Sequence, residues 1–280
     1  MTNEPAPDDG LESFEADGVN LPPDGIDGAV ETNGARIWYA RYGRGGPVIL
    51  LHGGIGHSGN FGKQIAPLVE AGYGPLVIDS RGHGRSTRDA RPYSYELMAS
   101  DVLAVMDALA IERAAIVGWS DGACTGLALA RRAPPRIAGV FFFACNVDQT
   151  GTRPFEMTPV IQRCLNRHMK DYAALSATPG AFQEFADAVG LMQRTQPNYS
   201  AADLAAIGVP VTVAQAEFDE FIRPEHAEYL ERTIPGAELV HLSGVSHFAP
   251  IQRPAAFNAA ILAFLGKVLP AKSQSISSSG

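Results

Sequence analysis

The chemistry in this chain gathers first at Gly118-Trp119-Ser120-Asp121-Gly122, a G-x-S-x-G pentapeptide. An apolar run (AAIVGW) leads into it and a helical pattern (DGACTGLALARR) leads out. In that context the serine sits on a tight strand-to-helix turn, where the residues two before and two after must lack bulk. The Ser120 hydroxyl then stands at a strand tip near a helix N-terminus, whose dipole favours developing negative charge. A serine hydroxyl is a poor nucleophile alone; it needs a base, and the base needs an orienting carboxylate.

Along the chain the expected order is Ser, acid, His. His247, in Ser243-Gly244-Val245-Ser246-His247-Phe248, is the candidate base, in a turn after the last strand and before the last helix. The other histidines considered fit worse: His52 and His83 precede the nucleophile, His168 lies in the inserted segment, His226 starts a helix and His241 sits inside a strand. The acid should end the preceding strand, and Asp219 is chosen; Glu217 is the runner-up and Glu220 is expected to face solvent. The negative charge of a tetrahedral intermediate needs preorganised N–H donors. The backbone N–H of Asp121 is one. The second is expected from His52-Gly53-Gly54-Ile55-Gly56, at Gly54, with Ile55 as the alternative, because glycine lets backbone approach a substrate oxygen.

Aromatic and Met side chains are expected around the pocket, with Phe61, Trp119, Met157, His168, Met192 and Phe248 as candidate substrate contacts, together with Ile55 and Asn146. Asp79-Ser80-Arg81-Gly82-His83-Gly84-Arg85-Ser86 lacks P-loop spacing and reads as a structural loop tied by buried polar contacts. No H-x-x-x-H or H-E-x-x-H pattern is present, so no metal is expected. Each chemical step needs only protein groups, and no cofactor is implied.

These residues must be positioned by something. A hairpin is expected around Asn33-Gly34, and short apolar strands at 47–51, 75–79, 114–119, 137–144, 209–215 and 238–242. Helical spacing fills 60–71, 95–109, 121–132, 224–233 and 254–268. Such alternation predicts an α/β fold, a mostly parallel twisted sheet covered by helices on both faces. Residues 146–205 interrupt it with helical patterns near 159–175 and 181–195 and no strand, and read as a helical cap over the strand C-termini. The expected division is an acidic flexible arm at 1–26, a core at 27–145 and 206–270, the cap at 146–205 and a frayed Ser-rich tail at 271–280.

Composition narrows the partners. The net charge is −8, yet residues 1–31 hold nine acidic side chains and no Lys or Arg, so the remainder sums to +1. A nearly neutral body does not suit nucleic acid. No stretch approaches the ~18–20 apolar residues of a membrane span. The N-terminus lacks the basic and apolar runs of a secretory signal, and a cytoplasmic location is expected. The three cysteines fit neither a disulfide framework nor a zinc knuckle. A monomer and a homodimer both remain open.

From about residue 28 to 269 the chain resembles the α/β-hydrolase superfamily. The resemblance rests on HGG at 52–54, DSRGHGRS at 79–86, GWSDG at 118–122, the Asp219 segment and GVSHF at 244–248. Dehalogenases and epoxide hydrolases of that superfamily carry Asp at the elbow, where this chain has Ser. The resemblance implies acyl transfer to water from a small-molecule ester or lactone. The runs LLHGGIGHSGNFG, VIDSRGHGRSTRD and VGWSDGACTGLALA are similar to serine-dependent macrolide esterases, which implies opening of a macrolide lactone and antibiotic inactivation. Perhydrolases, lactonases and meta-cleavage hydrolases share the outline. A peptidase or amidase with the same residues, and a non-catalytic receptor on this fold, are the rival readings.

Overall fold

The computed structural model describes residues 10–269. The chain begins with helix α1 (Leu11–Asp17) and a hairpin of β1 (Ile26–Thr32) and β2 (Ala35–Arg41). Asn33 and Gly34 both take positive φ, 46° and 77°, as a two-residue turn matched to strand twist requires. Alternation follows: β3 (Gly46–Leu51), α2 (Gly62–Glu70), β4 (Tyr73–Ile78), α3 (Tyr95–Ala108), β5 (Ala114–Trp119), α4 (Asp121–Arg132) and β6 (Ile137–Phe143). Three helices separate β6 from the next strand: α5 (Pro159–Leu175), α6 (Phe182–Thr195) and α7 (Ala201–Ala205). Then come β7 (Val211–Phe218), α8 (Pro224–Thr233), β8 (Glu238–Ser246), α9 (Ala249–Gln252) and α10 (Pro254–Val268).

The eight strands form one sheet in the order β1-β2-β4-β3-β5-β6-β7-β8. The β1–β2 and β2–β4 pairs are antiparallel, and every other pair is parallel. Successive side chains go to opposite faces. Ile49, Leu51, Ile116 and Phe142 join Val102, Val105 and Leu127 of α3 and α4 on one face. Val48, Leu50, Val117 and Phe141 meet Ile65 of α2 and Phe257 and Phe264 of α10 on the other. Burial on both faces explains why the central strands read as unbroken apolar runs rather than alternating ones. Each such side chain contributes about 1.5–3 kcal/mol.

Register sets the site. Leu51 pairs with Gly118, and Trp119 pairs with Phe143. The loops after β3, β5 and β6 therefore emerge together at the C-terminal edge, where open α/β sheets bind ligands. The last strand runs to Ser246, past the expected end at Leu242, with a register shift against β7 between Ala216 and Phe218.

The acidic N-terminal stretch differs from its expectation as a flexible arm. Within the described residues α1 buries Leu11 and Phe14 completely. Asn166 Nδ2 of α5 donates to Glu15 Oε1 at 2.7 Å, and Arg167 Nη1 to the Ala16 carbonyl at 3.1 Å. Low overall hydrophobicity concealed two apolar residues at i and i+3, which share one helix face. Residues 1–9 and the expected tail at 271–280 lie outside the described residues. Among the described residues no helix is long and apolar enough to cross a membrane.

Candidate active site

Ser120 joins β5 to α4 with φ 54° and ψ −121°, a conformation that non-glycine residues adopt at a cost. Crowding explains the flanking glycines. A Cβ on Gly122 would collide with the Leu51 carbonyl, and one on Gly118 would meet Ala123 N at 2.5 Å. The turn is held by Ser120 N–H donating to the Phe143 carbonyl at 2.9 Å and Ala123 N–H donating to the Ser120 carbonyl at 2.7 Å. Among the described residues no hydrogen bond ties the Ser120 hydroxyl, which lines an open cavity.

Asp219 follows β7 directly and is wholly buried. Its Oδ1 accepts the N–H groups of Phe221 at 2.9 Å and Ile222 at 3.0 Å, which fix the carboxylate. His247 follows β8, and its Nδ1 lies 3.1 Å from Oδ1 and 3.3 Å from Oδ2. A carboxylate at Nδ1 selects the Nδ1–H tautomer and leaves Nε2 as the basic nitrogen. Burial alone would lower the His247 pKa, but Asp219, Glu220 and Asp121 outweigh it and raise it above the ordinary histidine value. Glu217 is exposed and accepts Gly244 N–H at 2.8 Å, away from the imidazole. Glu220 does not face solvent as expected. Its Oε2 accepts the His247 backbone N–H at 3.0 Å. Burial raises its pKa, against the lowering effect of that bond.

The loop after β3 brings Gly53 against Ser120, so that a Cβ there would stand 3.3 Å from Ser120 Cβ. His52 shapes this loop: Nδ1–H meets the Gly53 carbonyl at 2.8 Å and Nε2 accepts Ser80 N–H at 3.0 Å. Burial drops its pKa to about 4, so it stays neutral. Ile55 holds φ 53°, a strained position for a β-branched residue. Among the described residues the N–H groups of Gly54, Ile55 and Asp121 have no hydrogen-bond acceptor. Unpaired donors beside a nucleophile are what a developing oxyanion requires.

The Asp121 side chain was given no part by the sequence. It is buried, and its Oδ1 accepts Tyr95 OH at 2.8 Å while Oδ2 accepts Gln193 Nε2 at 3.0 Å. Burial raises its pKa to about 6, against the lowering pull of Tyr95, Gln193 and His247.

Ser120, Asp121, His247 and Gly54 line one cavity of about 600 Å³, with Ile55, Trp119, Asn146, Met157, His168 and Phe248 in its wall. Two expected contacts do not line it. Phe61 is fully buried and meets Trp119 edge-on at 6.2 Å, and Met192 turns to a neighbouring cleft between Arg88 and Gln196. Both were chosen for being apolar, which marks core as readily as pocket. The cavity wall includes Asn60, Phe155, Gln193 and Phe221, which the sequence did not single out. Only their placement by the fold marks them.

The 79–86 loop is braced from within. Asp79 accepts N–H groups of Ser58 and Arg85, each at 2.8 Å, and Arg81 makes two bonds to Asp101 at 2.9 and 2.7 Å. Among the described residues no group of three His, Cys, Asp or Glu side chains is arranged to hold a metal ion.

The family described as alpha/beta hydrolase fold matches residues 46–175. Serine hydrolase BPHL of Mus musculus is 25% identical over 247 residues, covering 84% of this chain and 85% of that protein. Rhodomycin D methylesterase DauP of Streptomyces sp. (strain C5) is 27% identical, covering 73% of this chain and 86% of that one. Among solved structures, Est816, described as an N-acyl homoserine lactone degrading enzyme, is similar at 28% identity and a TM-score of 0.68, covering 85% of this chain and 100% of its own.

Proposed function

The chain belongs to the α/β-hydrolase superfamily, and from that premise we propose that it is a serine esterase or lactonase with Ser120, His247 and Asp219 as its catalytic residues. One observation carries the reading: the Ser120 hydroxyl, the Asp219–His247 pair and the unpaired N–H groups of Gly54 and Asp121 converge on a single cavity. His247 Nε2 takes the Ser120 proton as Oγ attacks the ester carbonyl. The resulting oxyanion accepts from the N–H groups of Asp121 and Gly54, or Ile55. Buried Asp219 stabilises the imidazolium, which returns the proton to the departing alcohol. His247 then activates water to hydrolyse the acyl-enzyme, and each step is carried by protein groups and water.

Ester or lactone substrates are favoured by the relatives named for a methylesterase and a lactone-degrading activity. Within that class the reading extends to macrocyclic lactones. A cavity of about 600 Å³ whose lip carries exposed Phe155 and Met157 suits a bulky, partly apolar ring.

The test is a mass-spectrometric screen of aryl esters, simple lactones and intact macrolides, with Ser120→Ala alongside. Gain of one water without fragmentation, abolished in the variant, is the expected result for a lactone. Full turnover by Ser120→Ala sinks the assignment; turnover of esters alone removes only the macrolide reading.

A further inference from the structure

Helix α6 contributes Ala186, Gly190, Gln193 and Arg194 to the cavity wall, and Gln193 is the one that bonds to Asp121. Gln193 extends from the helix to donate Nε2–H to Asp121 Oδ2 at 3.0 Å, and its backbone carbonyl accepts from Gln149 Nε2 at 3.0 Å. The far oxygen of the same carboxylate is held by Tyr95 of α3. Gly54 lies directly beneath this hydrogen bond. A Cβ there would run into Gln193 Nε2 and stand 2.5 Å from Asp121 Oδ2. Gln193 therefore bonds to the residue that carries one proposed oxyanion donor and packs on the residue that carries the other.

We propose that Gln193 is a positioning residue of the oxyanion hole, a latch by which α6 sets the spacing between the Asp121 and Gly54 N–H groups. The inference rests on the hydrolase reading above. It follows from geometry. The loop after β3 and the N-terminus of α4 belong to separate segments, and the Ile55 backbone is strained. Donors must stand about 2.7–3.1 Å from the oxyanion, and a strained loop holds such a position only when its surroundings fix it. The latch supplies that restraint through the Gln193–Asp121 bond and its packing on Gly54. It also explains Gly54 by a second cause: a side chain there would evict the Gln193 amide.

The latch predicts a loss in the transition state rather than in substrate binding. Gln193→Met keeps length and removes both amide functions. Removing an oxyanion donor outright costs about 10²–10³ in kcat, so a loosened hole should cost about 10–100-fold. KM should barely move, and the loss should be equal for p-nitrophenyl acetate and a bulkier p-nitrophenyl ester. The rate of Ser120 labelling by a fluorophosphonate, which also builds an oxyanion, should fall in parallel. Gly54→Ala should resemble Gln193→Met, and the double variant should be no slower than Gly54→Ala, because both break the same contact. Gln183→Met, the same change at an exposed position of α6 outside the cavity wall, is the control and should match the parent.

Unchanged kcat and labelling in Gln193→Met overturn the latch. So does a change confined to KM for the bulky ester, which marks a mere cavity wall, or full additivity with Gly54→Ala. Ser120→Ala separates the two failures. If it keeps turnover, the hydrolase reading falls. If it is inactive while Gln193→Met matches the parent, the latch alone falls.

Discussion

Glu220 Oε2 accepts the backbone N–H of His247 at 3.0 Å, while Asp219 holds the ring of the same histidine at 3.1 Å. Two consecutive carboxylates thus serve one residue, one through its backbone and one through its side chain. Both stabilise the imidazolium and, with Asp121, raise the His247 pKa against burial. Under the proposed mechanism kcat/KM requires neutral His247, so it rises with pH through the His247 pKa of the free enzyme. The acid limb should therefore lie above the ordinary histidine value. Glu220→Gln keeps an acceptor for the backbone N–H but removes an anion. Its limb should move to lower pH, with a plateau close to the parent's. A limb that stays or moves upward in a pH series of p-nitrophenyl ester hydrolysis contradicts this account.

Asp219→Asn retains an oxygen for the Phe221 and Ile222 N–H groups, so the turn should survive. An amide cannot select the Nδ1–H tautomer as a carboxylate does, nor stabilise the imidazolium. A loss of about 10³–10⁴ in kcat with KM nearly unchanged is expected, by analogy with serine proteases. Glu217→Gln should stay within about threefold of the parent, because Glu217 is exposed and its bond to Gly244 N–H survives the change. Steady-state kinetics on both variants decides which acid serves His247.

Gly122→Ala probes the elbow as structure. Its Cβ would overlap the Leu51 carbonyl group and stand 2.9 Å from the His52 carbonyl oxygen. These are backbone atoms at the end of β3 and of the residue that follows it, and cannot swing aside. A cost above about 4 kcal/mol is expected, which few domains survive. Gly180→Ala is the matched control, since a Cβ there meets nothing within 4 Å. Soluble yield and denaturant midpoints should separate the two; equal stability would show that the elbow relaxes.

The legible part of this site was its local part. Gly118 and Gly122 advertise a crowded turn because the crowding acts on residues next to the serine in sequence. The buried strands announce themselves by composition, since burial on both faces excludes polar side chains from β5 and β6. Gln193 was invisible for the opposite reason. It is an exposed polar residue on an amphipathic helix, one of many such, and only the placement of α6 brings it to Asp121. Glu220 was misjudged because neighbouring carboxylates differ by orientation, which sequence does not carry. Phe61 and Met192 show the same limit for apolar residues. The order in α1 was missed because seven residues with three acids look solvated until α5 is set beside them.

That docked helix yields the last prediction, and magnitudes decide what holds it. The Glu12–Arg163 pair is 3.9 Å apart and its Glu12 side chain is largely exposed. Such pairs contribute about 0–1 kcal/mol and are screened by salt. Leu11 and Phe14 are fully buried, at about 1.5–3 kcal/mol each. Apolar burial should therefore dominate. Raising the salt to about 0.5 M, where the Debye length is under 8 Å, should leave α1 docked. Phe14→Ala should release it, because truncating a buried Phe costs about 3–5 kcal/mol and a seven-residue helix has no stability of its own. Phe14 also meets His168 of α5 edge-on, with ring centroids 5.9 Å apart, and His168 lines the cavity. Release should thus speed amide hydrogen exchange in α1 and α5 while leaving β5 protected. It should also change kcat/KM more for a bulky ester than for an acetate. Undocking by salt in the parent, or unchanged exchange in Phe14→Ala, would reverse the ranking of charge and burial.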